Sequence, residues 1–479
     1  MKRRLISLGL VLGLCSFAAI ASAKPPQDPA YQDLVAAANA EESNQYLIEL
    51  AGGGPADLAA VITAAGGTLV HDLADIGSAS AISDEPTFAS QLSKTAGIRR
   101  VTRDLLVQWI PDGSDMETAS GVQASGHLTD PNLAVFRPCQ WGLDQIDVAG
   151  AWAQGEFGAG TTVAVLDTGV SGDPAFGGGG AHDDMLGKLV GNVTVVSQDV
   201  PACAAVGASD SVSPLDFRFH GTYVAGLIAA HGFGIAGVAP DANLYGVKVL
   251  NCNASGTFSD VIAGILHAAN EPIIDVINMS VGAYFRKTIP AAHGLVAALN
   301  KAVNYAQGVK GKLVVSAAGN NFADLDHNGN LMSLPAEAGS GVSAWAGDID
   351  GNLAFYSNHG VSGTLVGAAG GDVTPDSPNL PIAGCNLRRT RQDGIVSVCS
   401  PDSLFFSCGG DSFYLAGGSG TSFSSPIVAG VGALAAGANP GLNGNQLKAL
   451  LKNTADDLGK KGTDNLFSHG RVNAHEAVQ

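Results

Sequence analysis

The chain has 479 residues, 43 Asp and Glu against 25 Lys and Arg, and a formal net charge of −18, with only 14% of residues charged. An acidic surface of this kind excludes nucleic acid and anionic membrane surfaces as partners. Composition does not separate an enzyme from an adhesin or a binding domain, and the length points to two or three domains.

Residues 1–23 read as a secretory leader: Met1-Lys2-Arg3-Arg4 is basic, residues 5–20 are apolar, and Ala21-Ser22-Ala23 is a small-residue cleavage signal. No other stretch reads as long and apolar enough to span a bilayer. Leu14, ahead of Cys15, stands where a lipid-attachment signal takes Gly or Ala. The expectation is export to the periplasm or the medium, without a stable membrane anchor. Beyond the leader lie Cys139, Cys203, Cys252, Cys385, Cys399 and Cys408, an even number that points to disulfides with fifteen pairings open.

Within residues 24–110, a unit from about 44 to 110 has its own pattern. Tyr46-Leu47-Ile48-Glu49-Leu50 reads as a strand, 57–65 as a helix, 68–71 and 78–82 as strands, 85–95 as a helix and 98–107 as a last strand. This β-α-β-β-α-β order predicts a small α+β, ferredoxin-like domain with an antiparallel sheet. Residues 111–138 lack periodicity, contain Asp112-Gly113-Ser114-Asp115, and read as a linker open to cleavage. From 139 to 479 strands alternate with helices, which predicts a mostly parallel sheet covered on both faces, with active residues at the carboxyl ends of strands.

Chemistry-bearing motifs punctuate that second region. Thr161-Thr162-Val163-Ala164-Val165-Leu166 is a buried strand ending at Asp167-Thr168-Gly169, and His220-Gly221-Thr222 opens a small-residue helix pattern. Lys312-Leu313-Val314-Val315-Ser316 runs into Ala317-Ala318-Gly319-Asn320, and Gly420-Thr421-Ser422-Phe423 opens another helix. A serine hydroxyl is a poor nucleophile unless a base takes its proton, and an imidazole that does so is oriented and stabilised by a buried carboxylate. An aspartic peptidase would also use Asp-Thr-Gly but needs a second copy, and the chain has none. Asp324-Leu325-Asp326-His327-Asn328-Gly329 places Asp324, Asp326 and Asn328 at the alternate positions of a calcium loop, although Pro335 stands where such a loop takes its bidentate Glu; an acidic turn is the competing reading. Two long insertions, 177–216 and 372–411, lie near Asp167, His220 and Ser422 and read as rim or lid segments, with simple decoration as the competing reading.

In the order Asp167, His220, Ser422, these motifs resemble the subtilisin-like serine peptidases, with a proteinase-K-like flavour. The resemblance spans about 140–479 and, more weakly, 44–110. It implies the subtilisin-like α/β fold and a secreted serine endopeptidase, in which Asp167, His220 and Ser422 form the triad and the Asn320 amide completes the oxyanion hole. No cofactor is required for that chemistry. The resemblance further implies that Ser280-Val281-Gly282 and Ala317-Ala318-Gly319 line the primary pocket and that Ser255-Gly256 forms the opposite wall, so that protein or peptide substrates add a strand between them. Walls of Gly, Ala, Ser and Val leave room for a sizeable apolar side chain. It also implies that residues 24–110 are a propeptide that inhibits its own enzyme, that maturation occurs within 111–138, and that Cys203 pairs with Cys252. A peptide ligase or other acyl transferase, and a catalytically silent binding protein, remain open on the same fold.

Overall fold

A computed structural model describes residues 40–110, 117–119, 130–287, 292–361, 363, 365–373, 382–387, 393–408 and 413–479. The leader and most of the 111–138 linker lie outside them. The N-terminal unit is an antiparallel sheet of β1 (Ala40–Leu50), β2 (Thr68–Leu73), β3 (Ser78–Ile82) and β4 (Ile98–Gln108), in the order β2-β3-β1-β4. Helices Leu58–Ala64 and Phe88–Leu92 fall where the periodicity places them. Period two gives the sheet two apolar faces: Tyr46 and Ile48 pack with Ile62, Phe88 and Leu92 of the unit's own helices, whereas Leu47, Leu105 and Val107 pack with Phe258 and Val261 of the larger domain.

β5 (Glu117–Ala119) lies between the two units in sequence. The larger domain then contributes β6 (Thr162–Asp167), β7 (Leu189–Thr194), β8 (Asn243–Lys248), β9 (Ser255–Thr257), β10 (Val276–Met279), β11 (Ala283–Arg286), β12 (Leu313–Ala317), β13 (Leu331–Leu334), β14 (Val342–Gly347), β15 (Leu365–Ala369), β16 (Ile395–Val398) and β17 (Tyr414–Gly418). Seven of these form a parallel sheet, β15-β14-β12-β10-β6-β8-β7. Both faces are dry, as all-parallel sheets require. Val163 and Val165 of β6 face a core shared with Val224 of helix His220–Ala229 and Val428 of helix Thr421–Ala438. Ala164 and Leu166 face helices Phe258–Asn270 and Ala292–Asn304. Helix Thr421–Ala438 is, against the expectation from composition, apolar and long enough to cross a bilayer; it is instead a core helix, mostly buried within the fold.

The first insertion, expected as rim or lid, supplies β7, the edge strand of the main sheet, and helix Pro201–Ala205, tied down by the disulfide Cys203–Cys252. The strand was hidden because Gly191 interrupts its apolar run, and the gap is filled by the Tyr245 ring, 2.3 Å from where a Cβ would stand. The second insertion supplies β16. It is bound by Cys399–Cys408, and Cys139–Cys385 joins it to the start of the domain.

Asp104 of β4 is fully buried between the two units, where it accepts from the N–H groups of Phe258 (3.1 Å) and Ser259 (2.8 Å) in the first turn of helix Phe258–Asn270. Burial pushes its carboxyl from 3.8 up to about 6, against the opposing hydrogen bonds from Ser259 and Leu105 and with a further upward push from Asp260. Asp260 is itself paired to His71 Nε2 at 2.8 Å. A carboxyl whose pKa rises on docking takes up a proton, so this group favours docking most below about pH 4 and loses that advantage as pH rises through about 6. Titration of the separated 24–110 segment onto the larger domain across this range should show affinity falling with pH, and Asp104→Asn should flatten the dependence. An unchanged slope in the variant would assign it to other groups.

Candidate active site

β6 ends on Asp167, which is fully buried and whose Oδ1 accepts from the Thr168 N–H at 2.7 Å. His220, the first residue of its helix, places Nδ1 2.8 Å from Asp167 Oδ1 and 3.0 Å from Oδ2. With Nδ1–H donated to the carboxylate, the imidazole presents Nε2 as a proton acceptor. Only glycine allows this approach at the next residue: a Cβ on Gly221 would lie 2.0 Å from the Gly169 carbonyl oxygen.

The start of the His220 helix is fixed by Asp216, a residue the sequence reading left as the end of an insertion. Its buried carboxylate accepts from Thr168 Oγ1 (2.8 Å), Arg218 N (3.1 Å), Phe219 N (2.9 Å) and Thr222 N (2.8 Å), and Thr168 Oγ1 accepts from Gly221 N (3.0 Å). Burial pushes its carboxyl up, with the Thr222 hydrogen bond and the Lys248 ammonium opposing. Phe219 has φ of 141°, a conformation that costs a non-glycine residue about 1–3 kcal/mol and persists only where its surroundings hold it. Asp216 lies four residues before His220 with no motif around it. The usable signal was a helix-capping residue type just ahead of the helix start.

Asp216→Asn would set an amide N–H against backbone donors, so kcat should fall by up to about 10²-fold with KM little changed. Loss of thermal stability with unaltered kcat would reduce Asp216 to a folding role.

Ser422 is the second residue of helix Thr421–Ala438, and its Oγ donates to the Ser280 carbonyl at 2.9 Å. The Phe423 ring lies 5.7 Å from the His220 ring, so the structure brings the serine and histidine segments together. Asn320 follows β12. Its Oδ1 accepts from Thr421 N (2.9 Å) and Thr421 Oγ1 (2.8 Å), which leaves Nδ2 as the outward donor beside Gly420, 3.5 Å from where a Cβ of that glycine would stand. The preceding Gly319 has φ of 107°, and a Cβ there would lie 2.4 Å from Asn358 Nδ2.

The residues expected as walls follow the ends of neighbouring strands. Ser280, Val281 and Gly282 continue β10, and Ala317, Ala318 and Gly319 close β12. Ser255 and Gly256 lie in β9, which carries an added antiparallel strand: the end of β4, with Val107 opposite Gly256 and Gln108 opposite Ser255. The next residue, Trp109, donates its N–H to Ala254 O (3.0 Å) and its Nε1–H to Gly256 O (2.9 Å), while its carbonyl accepts from Gly282 N (2.8 Å).

Asp324, Asp326 and Asn328 each have protein partners. Asp324 Oδ2 meets His327 Nδ1 (2.9 Å) and Asn465 Nδ2 (3.1 Å), Asp326 Oδ2 accepts from Val361 N (2.6 Å), and Asn328 Oδ1 faces the Lys287 ammonium (3.4 Å). A cation at Asn328 Oδ1 is the opposite of what calcium needs. Among the described residues, the group of Cys, His, Asp or Glu close enough to share an ion is Cys203, Asp210 and Cys252, whose sulfurs are bonded to each other.

A buried Asp–His pair at a strand end and a helix start, with a serine and an oriented amide on converging segments, is the equipment of a serine peptidase. The sequence model of the subtilase family matches residues 158–470. Thermitase from Thermoactinomyces vulgaris is 31% identical over 353 residues, covering 73% of this chain and 99% of thermitase. Subtilisin Savinase from Lederbergia lenta is 32% identical over 341 residues, 71% of this chain and 98% of Savinase. The crystal structure of the epidermin leader peptide processing serine protease from Staphylococcus aureus superposes with a TM-score of 0.70 at 21% identity, covering 91% of this chain and 98% of that one, a likeness of fold. The chain belongs to the subtilase family of serine peptidases, hydrolases with the subtilisin-like α/β fold.

Proposed function

We propose that this chain is the precursor of a secreted serine endopeptidase that cuts proteins through an acyl-enzyme intermediate. His220 Nε2 takes the Ser422 proton as Oγ attacks the carbonyl carbon, and Asp167 stabilises the imidazolium that forms. Oγ must first turn from the Ser280 carbonyl toward His220, a rearrangement ordinary for an enzyme without bound substrate. Asn320 Nδ2 and the Ser422 N–H hold the oxyanion, His220 returns the proton to the departing amine, and water then releases the acyl group by the reverse path. The family's chemistry needs no cofactor.

The observation that carries this reading is the chain at Val107–Gln108–Trp109, hydrogen-bonded as a strand between Ala254–Gly256 and Gly282. It supports residues 24–110 as a propeptide that occupies the groove until it is cut. Small walls favour an apolar side chain ahead of the cut.

Incubation of the secreted protein with a denatured protein, followed by mass spectrometry, should give internal fragments, and a serine-directed sulfonyl fluoride should modify Ser422. The separate 24–110 segment should inhibit the mature enzyme in trans. Modification elsewhere, or fragments from an enzyme that the segment does not inhibit, would overturn the corresponding assignment.

A further inference from the structure

We propose that β17 extends the substrate groove on the leaving-group side, pairing by main chain with an extended stretch of substrate several residues beyond the cut. This rests on the peptidase reading and adds a requirement for long, unfolded polypeptide.

β17 runs directly into the helix that carries Ser422, and its side chains at Tyr414, Leu415 and Ala416 are buried, so recognition along it is by backbone. One edge pairs with β16. The other takes an antiparallel strand from this same chain, β5, with Ala416 opposite Glu117, Leu415 opposite Thr118 and Tyr414 opposite Ala119. Eight residues before Glu117 in sequence, Trp109 is held between Ala254 and Gly282. Eight residues reach at most about 26–29 Å, so Trp109 and Glu117 lie no farther apart than that. The antiparallel register then sets later residues against earlier positions of β17, farther from Ser422, as a strand leaving the catalytic centre requires.

The platform is anchored beside His220. Ser400 Oγ donates to Asp216 O (2.7 Å), Ser403 Oγ to Arg218 O (2.6 Å) and Leu404 N to Phe217 O (2.9 Å), and the Phe406 and Phe219 rings meet edge to face at 4.9 Å. The second insertion, through β16, thereby fixes β17 from behind. Each cross-strand pair adds a modest increment, so an effect of useful size needs several residues of substrate.

The test uses self-processed enzyme and two peptides identical up to and just past the cut, one of which continues by about ten residues. A parallel enzyme carries Thr118→Pro, which removes an N–H from the chain's own strand and frees the edge. The long peptide should have a kcat/KM about tenfold higher than the short one, at least in the Thr118→Pro enzyme. N-methylation of one alternate set of its distal amides should erase the gain, and methylation of the other set should not, since successive amides of a strand point to opposite sides.

Long and short peptides cut within about twofold of each other in both enzymes would overturn the proposal, as would a gain indifferent to both methylation patterns. Cleavage of the short peptide without a gain sinks only the extended groove. If neither peptide is cut, the peptidase reading falls with it.

Discussion

Ser422→Ala should lower kcat by about a millionfold, the magnitude known from subtilisin itself, and adding His220→Ala should then change little, because the members of such a unit act together. The geometry gives the reason. In the proposed mechanism, the Asp167–His220 contact at 2.8 Å orients a base that has no task once the hydroxyl is gone. In a host without other peptidases, the Ser422→Ala precursor should also accumulate with residues 24–110 attached, read by intact mass. Near-normal turnover or normal processing in that variant would remove Ser422 from the mechanism.

Asn320→Leu should lower kcat by about 10²–10³, or about 2.7–4 kcal/mol of barrier, with KM nearly unchanged; this too is the size known for an oxyanion-hole asparagine in subtilisin. The amide is fixed from behind by two donors of Thr421, so Nδ2 is aimed before any charge develops. A donor of this kind acts where the carbonyl oxygen becomes negative and contributes little to ground-state binding. A change confined to KM would instead make Asn320 a residue that holds substrate. Thr421→Val, which keeps the backbone donor and deletes the hydroxyl, should move kcat in the same direction by a smaller factor.

The positions of Asp167, His220 and Ser422 in the fold were legible because each lies at the end of a strongly apolar strand or the start of a helix, where local pattern alone places it. The N-terminal unit was legible for the same reason: Tyr46, Leu47 and Ile48 alternate between two dry faces. What stayed hidden depends on distant partners. β7 is completed by the Tyr245 ring lying over Gly191, and Asp216 acquires its role from donors on two separate segments. The partners of the residues at the calcium-like spacing from Asp324 are equally remote in sequence. The oxygens of those residues are taken by Val361, Asn465 and Lys287, which the local sequence cannot foresee. Cys203–Cys252 followed from the resemblance, whereas Cys139–Cys385 spans 246 residues and no local pattern announces it.

That long disulfide makes a covalent ring of everything from residue 139 to residue 385, and Asp167, His220 and Asn320 all lie inside it. A single backbone cut anywhere within the ring leaves the molecule in one piece. For a peptidase surrounded by copies of itself, a surface loop nicked by a neighbour need not cost the molecule a fragment. Aged enzyme should therefore migrate as an intact band without reductant and separate into pieces once the disulfides are reduced.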